Sequence, residues 1–313
     1  ADEAAPLAAA AGREAPRALT ADQVLARPDI DLILNLTVPK AHAAVATAAL
    51  TAGKRTYSEK PLALHPAEAA PLLELARSKN LRIGCAPDTF LGAGIQSARK
   101  LLDEGAIGTP VAATAFMLTP GHESWHPDPE FYYQAGGGPM FDMGPYYLTA
   151  LVNLIGPVQR IGGMARATFP ERTITSAKKF GKKVPVETPT HIASTLEFQG
   201  GATGVMLMSF DVHGARLPSI EIYGTHGALS VPDPNGFGGE IKIKRPGNDW
   251  ATVPFSHGYK ENARGRVGAD RAAALAACRP HRASGDLAYH VLDVMQSALD
   301  AAASFGIGRP EDL

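Results

Sequence analysis

Residues 31–37 read DLILNLT, a short unbroken apolar stretch of the kind shown by a strand that a parallel sheet buries on both faces, and the pattern predicts a central strand. The alanine-rich VPKAHAAVATAALTAG that follows predicts a helix, with Pro39 tolerable in its first turn and Gly53 placed to end it. Residues 55–58 then read as a strand, 66–80 as a second helix and 81–85 as another strand. This alternation predicts parallel strands with helices on both faces, and ligands in such sheets bind at the carboxyl ends of the strands. Those ends are residues 37–39, 58–61 and 86–90. A helix over 94–104 closes this half. From Val111 onward longer strand-like runs take over, at 111–118, 192–198, 202–210, 219–223, 228–231 and 240–244, several joined by glycine turns. Helices near 145–154 and 286–304 are expected to cover one face of that sheet. A chain of 313 residues exceeds what one core usually organises. The division expected is an α/β dinucleotide-binding domain over 1–110 and an α+β domain over 111–313. The second carries a large, mostly antiparallel sheet for substrate binding and oligomerisation.

A dinucleotide-binding domain of Rossmann type opens with a strand, a GxGxxG turn and a helix, and nothing ahead of Asp31 supplies them, so the first βα unit reads as missing from this sequence. Asp2, in ADEAAPLAAAAG, is the candidate for the acid that bonds the adenosine ribose. Gly92, Gly94 and Ser97 in LGAGIQSA imitate the fingerprint after a strand. The third glycine is a serine and the intervening segment is too long for the tight turn, so these positions read as structural.

Composition narrows the function classes. Lys and Arg number 30 against 31 Asp and Glu, so no net positive field exists to attract nucleic acid. The one basic run, Lys178, Lys179, Lys182 and Lys183, reads as a solvated loop. Cys85 and Cys278 stand far apart without CxxC spacing, which argues against a disulfide framework and a structural zinc site and fits a reducing cytoplasm. The apolar segments are too short or too polar for a bilayer, and Asp2 and Glu3 stand where a secretory signal has basic residues, so neither a membrane nor a targeting segment is expected.

The chemistry concentrates in three strings. AGKRTYSEKPLA puts Glu59, Lys60 and Pro61 at the carboxyl end of a strand; TVPKAH carries Thr37, Val38, Pro39 and His42; GGGPMFDMGPYY carries Asp142 and Tyr146. Taken alone, a Lys-Pro pair is a solvated turn more often than a site. Together the strings resemble the glucose-fructose oxidoreductase/inositol dehydrogenase (Gfo/Idh/MocA) family, over nearly the whole chain from about Asp22. The resemblance implies a bound NAD or NADP lined by Thr37, Val38, Pro39, His42, Glu59, Lys60 and Pro61. It further implies that Lys60 contacts both cofactor and reacting hydroxyl, and that Asp142 binds substrate hydroxyls. Hydride leaves a carbinol carbon only as its hydroxyl proton is removed, so the site needs a proton acceptor. The family's residue four after the aspartate is often a histidine; Tyr146 stands here, which leaves the division of labour between Lys60 and Tyr146 open. Pro145 belongs in the first turn of a helix, so Asp142 and Tyr146 are expected to straddle a helix start, with Asp142 as a candidate N-cap.

The string HESWH, from His122 to His126, satisfies the HExxH zinc pattern, which works only on a helix. Pro120, Gly121, Pro127 and Pro129 flank it, and no metal is expected. A loop carrying Trp125 and His126 into a sugar site is the better reading, since aromatic faces pack on sugar rings and imidazole bonds hydroxyls. His213, Tyr289 and His290 stand in reserve. The function expected is an NAD(P)-dependent dehydrogenase or reductase acting on a sugar, inositol or related polyol, as a homodimer or homotetramer. Two alternatives share the architecture: an NAD-dependent glycosidase and a non-catalytic dinucleotide-binding regulator.

Overall fold

A computed structural model describes residues 17–304, together with Ala9 and Gly12; Asp2, the candidate ribose acid, lies outside the described residues. Helix α1 (Ala21–Ala26) opens on a capping box, in which Thr20 accepts from the Gln23 N–H while the Gln23 side chain accepts from the Thr20 N–H. Strands β1 (Leu32–Asn35), β2 (Arg55–Ser58) and β3 (Ile83–Cys85) then form a parallel sheet in that order, connected by helices α2 (His42–Thr51) and α3 (Pro66–Ser78). The βαβ alternation read from the sequence is therefore present. Register pairs Asn35 with Ser58 and Ser58 with Cys85, so all three strands end at one level and their following loops converge. One expectation is corrected here. Among the described residues β1 is an edge strand, and Leu34 and Leu36 are exposed; an apolar run alone does not report how many neighbours a strand has.

Helix α4 (Ala93–Asp103) leads into β4 (Pro110–Leu118) and the large sheet. The remaining strands are β5 (Val158–Arg166), β6 (Glu171–Thr173), β7 (Lys183–Pro185), β8 (His191–Phe198), β9 (Thr203–Ser209), β10 (Ile220–Gly224), β11 (Gly227–Val231), β12 (Ile241–Lys244) and β13 (Ala251–Val253). Seven of them join β4 in the order β13-β12-β11-β10-β4-β9-β8-β5, antiparallel except for the β4–β9 pair, while β6 and β7 form a separate ribbon. Strand alternation puts Ala113, Ala115 and Met117 beside Gly204, Met206 and Met208 on one face. Helices α5 (Gly138–Ile155) and α7 (Gly285–Ser304) cover that face, with α6 (Arg266–Ala276) between them in sequence. Fully buried side chains such as Ile192, Met206 and Met208 contribute about 1.5–3 kcal/mol each at this contact.

The carboxyl-terminal segment returns to the small sheet. Ser284 bridges Gly84, the Cys85 N–H donates to the Ala283 carbonyl, and the buried Arg271 guanidinium donates to the carbonyls of Thr56 and Arg82. The imitation fingerprint also serves packing: a Cβ on Gly94 would stand 2.6 Å from the Gly238 carbonyl oxygen, so backbone approaches where a side chain would forbid it. The basic run is engaged as well, with Lys178 and Lys179 on Asp128 and Lys182 on Glu130.

Helix α5 requires a second correction. It begins at Gly138, not near Pro145, which lies inside it. A proline there costs about 3 kcal/mol by removing a hydrogen bond and crowding the preceding carbonyls. Burial of Met140, Phe141, Tyr147, Leu148, Leu151 and Leu154 on the same helix outweighs that cost. Asp142 is accordingly an interior helix residue and not an N-cap. Asp142 and Tyr146, four residues apart, project on one face.

Candidate active site

The loop after β2 and the face of α5 meet. Lys60 Nζ donates to Asp142 Oδ1 at 2.9 Å and to the Asp142 carbonyl oxygen at 2.6 Å. The two side chains are 17% and 13% exposed, so the pair is largely withdrawn from solvent. The Tyr146 ring lies under the ammonium, its centroid 5.2 Å from Nζ. His122 reaches the same carboxylate from the loop after β4, with Nε2 3.1 Å from Asp142 Oδ2. Burial pushes the Asp142 carboxyl up, but the His122 hydrogen bond and the Lys60 charge outweigh it and hold the group below its ordinary value, so Asp142 is ionised at neutral pH.

Two cavities share this cluster. The larger, ≈ 670 Å³, is lined by Lys60, Asp142, Tyr146, His122, Trp125 and Tyr132 and extends toward Asn235 and Arg264. The smaller, ≈ 420 Å³, is lined by Lys60 and Asp142 again, with Thr37, Val38, Pro39 and Pro61 from the strand ends and Leu64 and Phe141 as further apolar wall. Lys60 and Asp142 thus form the partition between the two.

Other residues singled out in the sequence are placed differently. His42 is fully buried and lines neither cavity; its Nδ1 lies 2.6 Å from the Pro61 carbonyl oxygen and its Nε2 2.9 Å from that of Thr37, which braces the two loops against each other. Glu59 turns back, accepting from the Lys60 backbone N–H. Trp125 is exposed and lines the larger cavity, whereas His126 lines neither; its Nδ1 accepts from the Asp128 N–H and its ring packs edge-on against Trp125, Phe131 and Tyr132. His213, Tyr289 and His290 also lie off both cavities, and His290 Nε2 accepts from the Val158 N–H.

The sequence marked His122 only as one end of a zinc-like pattern. Residues 122–126 form turns, not a helix, and the Glu123 carboxylate is committed to Arg172 at 3.1 Å. Gly121, at φ +97°, makes the turn that brings His122 inward. Among the described residues no helix is long and apolar enough to cross a membrane.

The smaller cavity fits the nicotinamide end of a dinucleotide on its own features. Val38, Pro39, Leu64 and Phe141 offer apolar surface to a flat ring, Thr37 adds a polar edge, and the shared wall at Lys60 adjoins the space where a second reactant fits.

Comparison with known proteins identifies the family and the fold. Residues 2–86 match the family model described as oxidoreductase family, NAD-binding Rossmann fold, and residues 95–230 match the GFO/IDH/MocA C-terminal domain. Levoglucosan dehydrogenase of Pseudarthrobacter phenanthrenivorans is 27% identical over 219 residues, covering 64% of this chain and 55% of that protein. D-xylose dehydrogenase of Paenarthrobacter nicotinovorans is 26% identical over 216 residues, covering 66% of this chain and 55% of that one. The chain therefore spans about half the length of the curated relatives it matches. A solved structure of levoglucosan dehydrogenase in complex with NADH and levoglucosan shares the fold, with a TM-score of 0.78 at 24% identity over 96% of this chain and 85% of that one.

Proposed function

Because the chain belongs to the GFO/IDH/MocA family of oxidoreductases, we propose that it moves hydride between NAD or NADP and a CH–OH carbon of a sugar, inositol or related polyol, with Lys60 handling the hydroxyl proton. The observation that carries this reading is the position of Lys60 on the wall shared by the two cavities. When bound, the nicotinamide supplies the hydride chemistry that no side chain possesses. Thr37, Val38, Pro39, Pro61 and Leu64 would hold that end of the dinucleotide.

The chain's own residues do the rest. Lys60, as the free amine, takes the hydroxyl proton during oxidation and returns it as an ammonium during reduction. Asp142 aims the amine by holding it from two oxygens, and it accepts from substrate hydroxyls on the cavity side. Trp125 presents an aromatic face to a sugar ring. Release of NADH or NADPH, followed spectrophotometrically over a panel of sugars and polyols that includes levoglucosan, D-xylose and inositol, tests the reading. No turnover with any of them, in either direction, would remove it.

Tyr146 acts through its ring in this scheme. Tyr146→Phe keeps the aromatic face beneath Lys60, so kcat/KM for carbonyl reduction, in which Lys60 acts as the ammonium, is expected within about threefold of the parent, whereas Tyr146→Leu, which loses an attraction worth about 0.5–2 kcal/mol, is expected to lower it roughly threefold to thirtyfold. Equal losses in both variants would assign the proton relay to the phenol hydroxyl instead.

The open face of the large sheet exposes Met164 and Val205, and a second copy of the chain is proposed to cover it. Sedimentation at micromolar concentration is expected to give a dimer or tetramer; a monomer alone would exclude this arrangement.

A further inference from the structure

Asp142 has two carboxylate oxygens and two basic side chains upon them: Lys60 at 2.9 Å on Oδ1 and His122 at 3.1 Å on Oδ2. His122 is 8% exposed and its ring is caged by Tyr132, Phe210 and Trp125, at centroid distances of 3.9, 4.6 and 5.2 Å. The backbone fixes it too, its N–H donating to the Tyr133 hydroxyl at 3.3 Å. Among the described residues its Nδ1 has no hydrogen-bond partner, so the ring's one polar commitment is to Asp142. The other titratable groups around it are otherwise engaged. Burial raises the phenols of Tyr132 and Tyr133 and keeps them neutral, and Glu123, next in the chain, is held by Arg172. Asp142, and Lys60 through Asp142, are the charges to which His122 answers.

We propose that His122 is a positioning residue of proton transfer: it grips the Asp142 carboxylate by one oxygen and, when charged, draws that carboxylate's field away from Lys60. The proposal rests on the oxidoreductase reading of the site. The physical need is plain. A carboxylate beside an ammonium favours the charged form, which opposes the use of Lys60 as a base. An imidazolium on the other oxygen opposes that bias. In the oxidation step the substrate O–H bond breaks and its proton forms an N–H bond with the Lys60 amine. The O–H electron pair becomes the second C–O bond, and the C–H electron pair leaves as hydride to an oxidised nicotinamide dinucleotide. His122 touches none of the reacting atoms; it sets the pH at which the amine is free to receive the proton.

His122→Gln separates this role from a structural one, because glutamine keeps an N–H donor near the Nε2 position but carries no charge. The rising alkaline limb of kcat/KM for polyol oxidation is expected to move up by about one pH unit, lowering the value near neutrality roughly tenfold, while the NADH dissociation constant is unchanged. A variant profile that superimposes on the parent's would overturn the proposal. A second measurement needs neither cofactor nor turnover: the His122 imidazole titration, followed by NMR in the dinucleotide-free protein. Lys60→Met removes a competing cation and is expected to move the midpoint up; Asp142→Asn removes the attracting carboxylate and is expected to move it down. The same midpoint in all three proteins refutes the coupling. The coupled shifts in a protein that turns over no polyol would sustain it and refute the oxidoreductase reading alone.

Discussion

Lys60→Ala is expected to lower turnover by roughly a hundredfold to ten-thousandfold, the range for a lost acid-base group, while NADH affinity stays within a few-fold of the parent. The split follows from what Lys60 touches. Its Nζ is committed to Asp142 on the shared wall, whereas the smaller cavity is built largely from Thr37, Val38, Pro39, Leu64 and Phe141, none of which the substitution alters. The strand-end loops are also held independently of Lys60, through the two contacts of His42 to the carbonyls of Thr37 and Pro61. Asp142 does not become an unpaired buried charge, because His122 remains on Oδ2, so the loss is expected in chemistry and not in folding. Single-turnover kinetics beside a fluorescence titration with NADH would check both halves. Turnover within a few-fold of the parent would remove Lys60 from the proton path. A matching collapse of NADH binding would instead mean that the side chain mainly supports the cofactor cavity.

The strand-end position of Lys60 is legible in the amino-acid sequence, because a four-residue strand between two helices is a local pattern and its carboxyl end is fixed by the βαβ rule. Its partner Asp142 lies 82 positions away and is legible only through the resemblance of the surrounding string to a family. His122 is hidden for a different reason. HESWH contains two histidines, and which of them turns inward depends on the φ of Gly121 and on the grip of Arg172 on Glu123, neither of which leaves a periodic trace. His126 is favoured in the sequence by its place beside Trp125, yet the turn sends that ring against Phe131 and Tyr132. Strand β5 leaves little strand pattern because Gly162 and Gly163 interrupt it and Arg160 and Arg166 punctuate it, although it pairs with β8 along its length. The start of α5 is obscured because Pro145 is a local signal for a helix start, and a helix packed against the sheet and α7 carries the proline in its interior instead.

The largest structural effect is expected at Arg172, which holds the loop carrying His122 without lining either cavity. Arg172 lies on β6 with its side chain 11% exposed, between the carboxylates of Glu123 (11%) and Asp211 (5%). It donates to the Phe210 carbonyl at 2.8 Å and stacks its guanidinium over the rings of Phe169 and Tyr133. Glu123 in turn accepts from the backbone N–H groups of Thr175 and Ser176 through its carbonyl, so one guanidinium links the loop after β4, the β6–β7 ribbon and the end of β9. Arg172→Met preserves much of the apolar contact and deletes the charge, leaving two buried carboxylates facing each other without a counter-ion. Breaking a buried pair from one side costs about 3–5 kcal/mol, and the two acids share the partner here, so a destabilisation in that range is expected from urea unfolding. Replacing Glu123 and Asp211 by glutamine and asparagine in the same chain removes the stranded charges and is expected to recover most of the loss. Because His122 adjoins Glu123, the single variant is also expected to blur the imidazole titration of His122, while the triple variant sharpens it again. A single variant within about 0.5 kcal/mol of the parent, the size of an ordinary surface substitution, would mean that Arg172 is solvated in solution and that the loop is held by the aromatic cage alone.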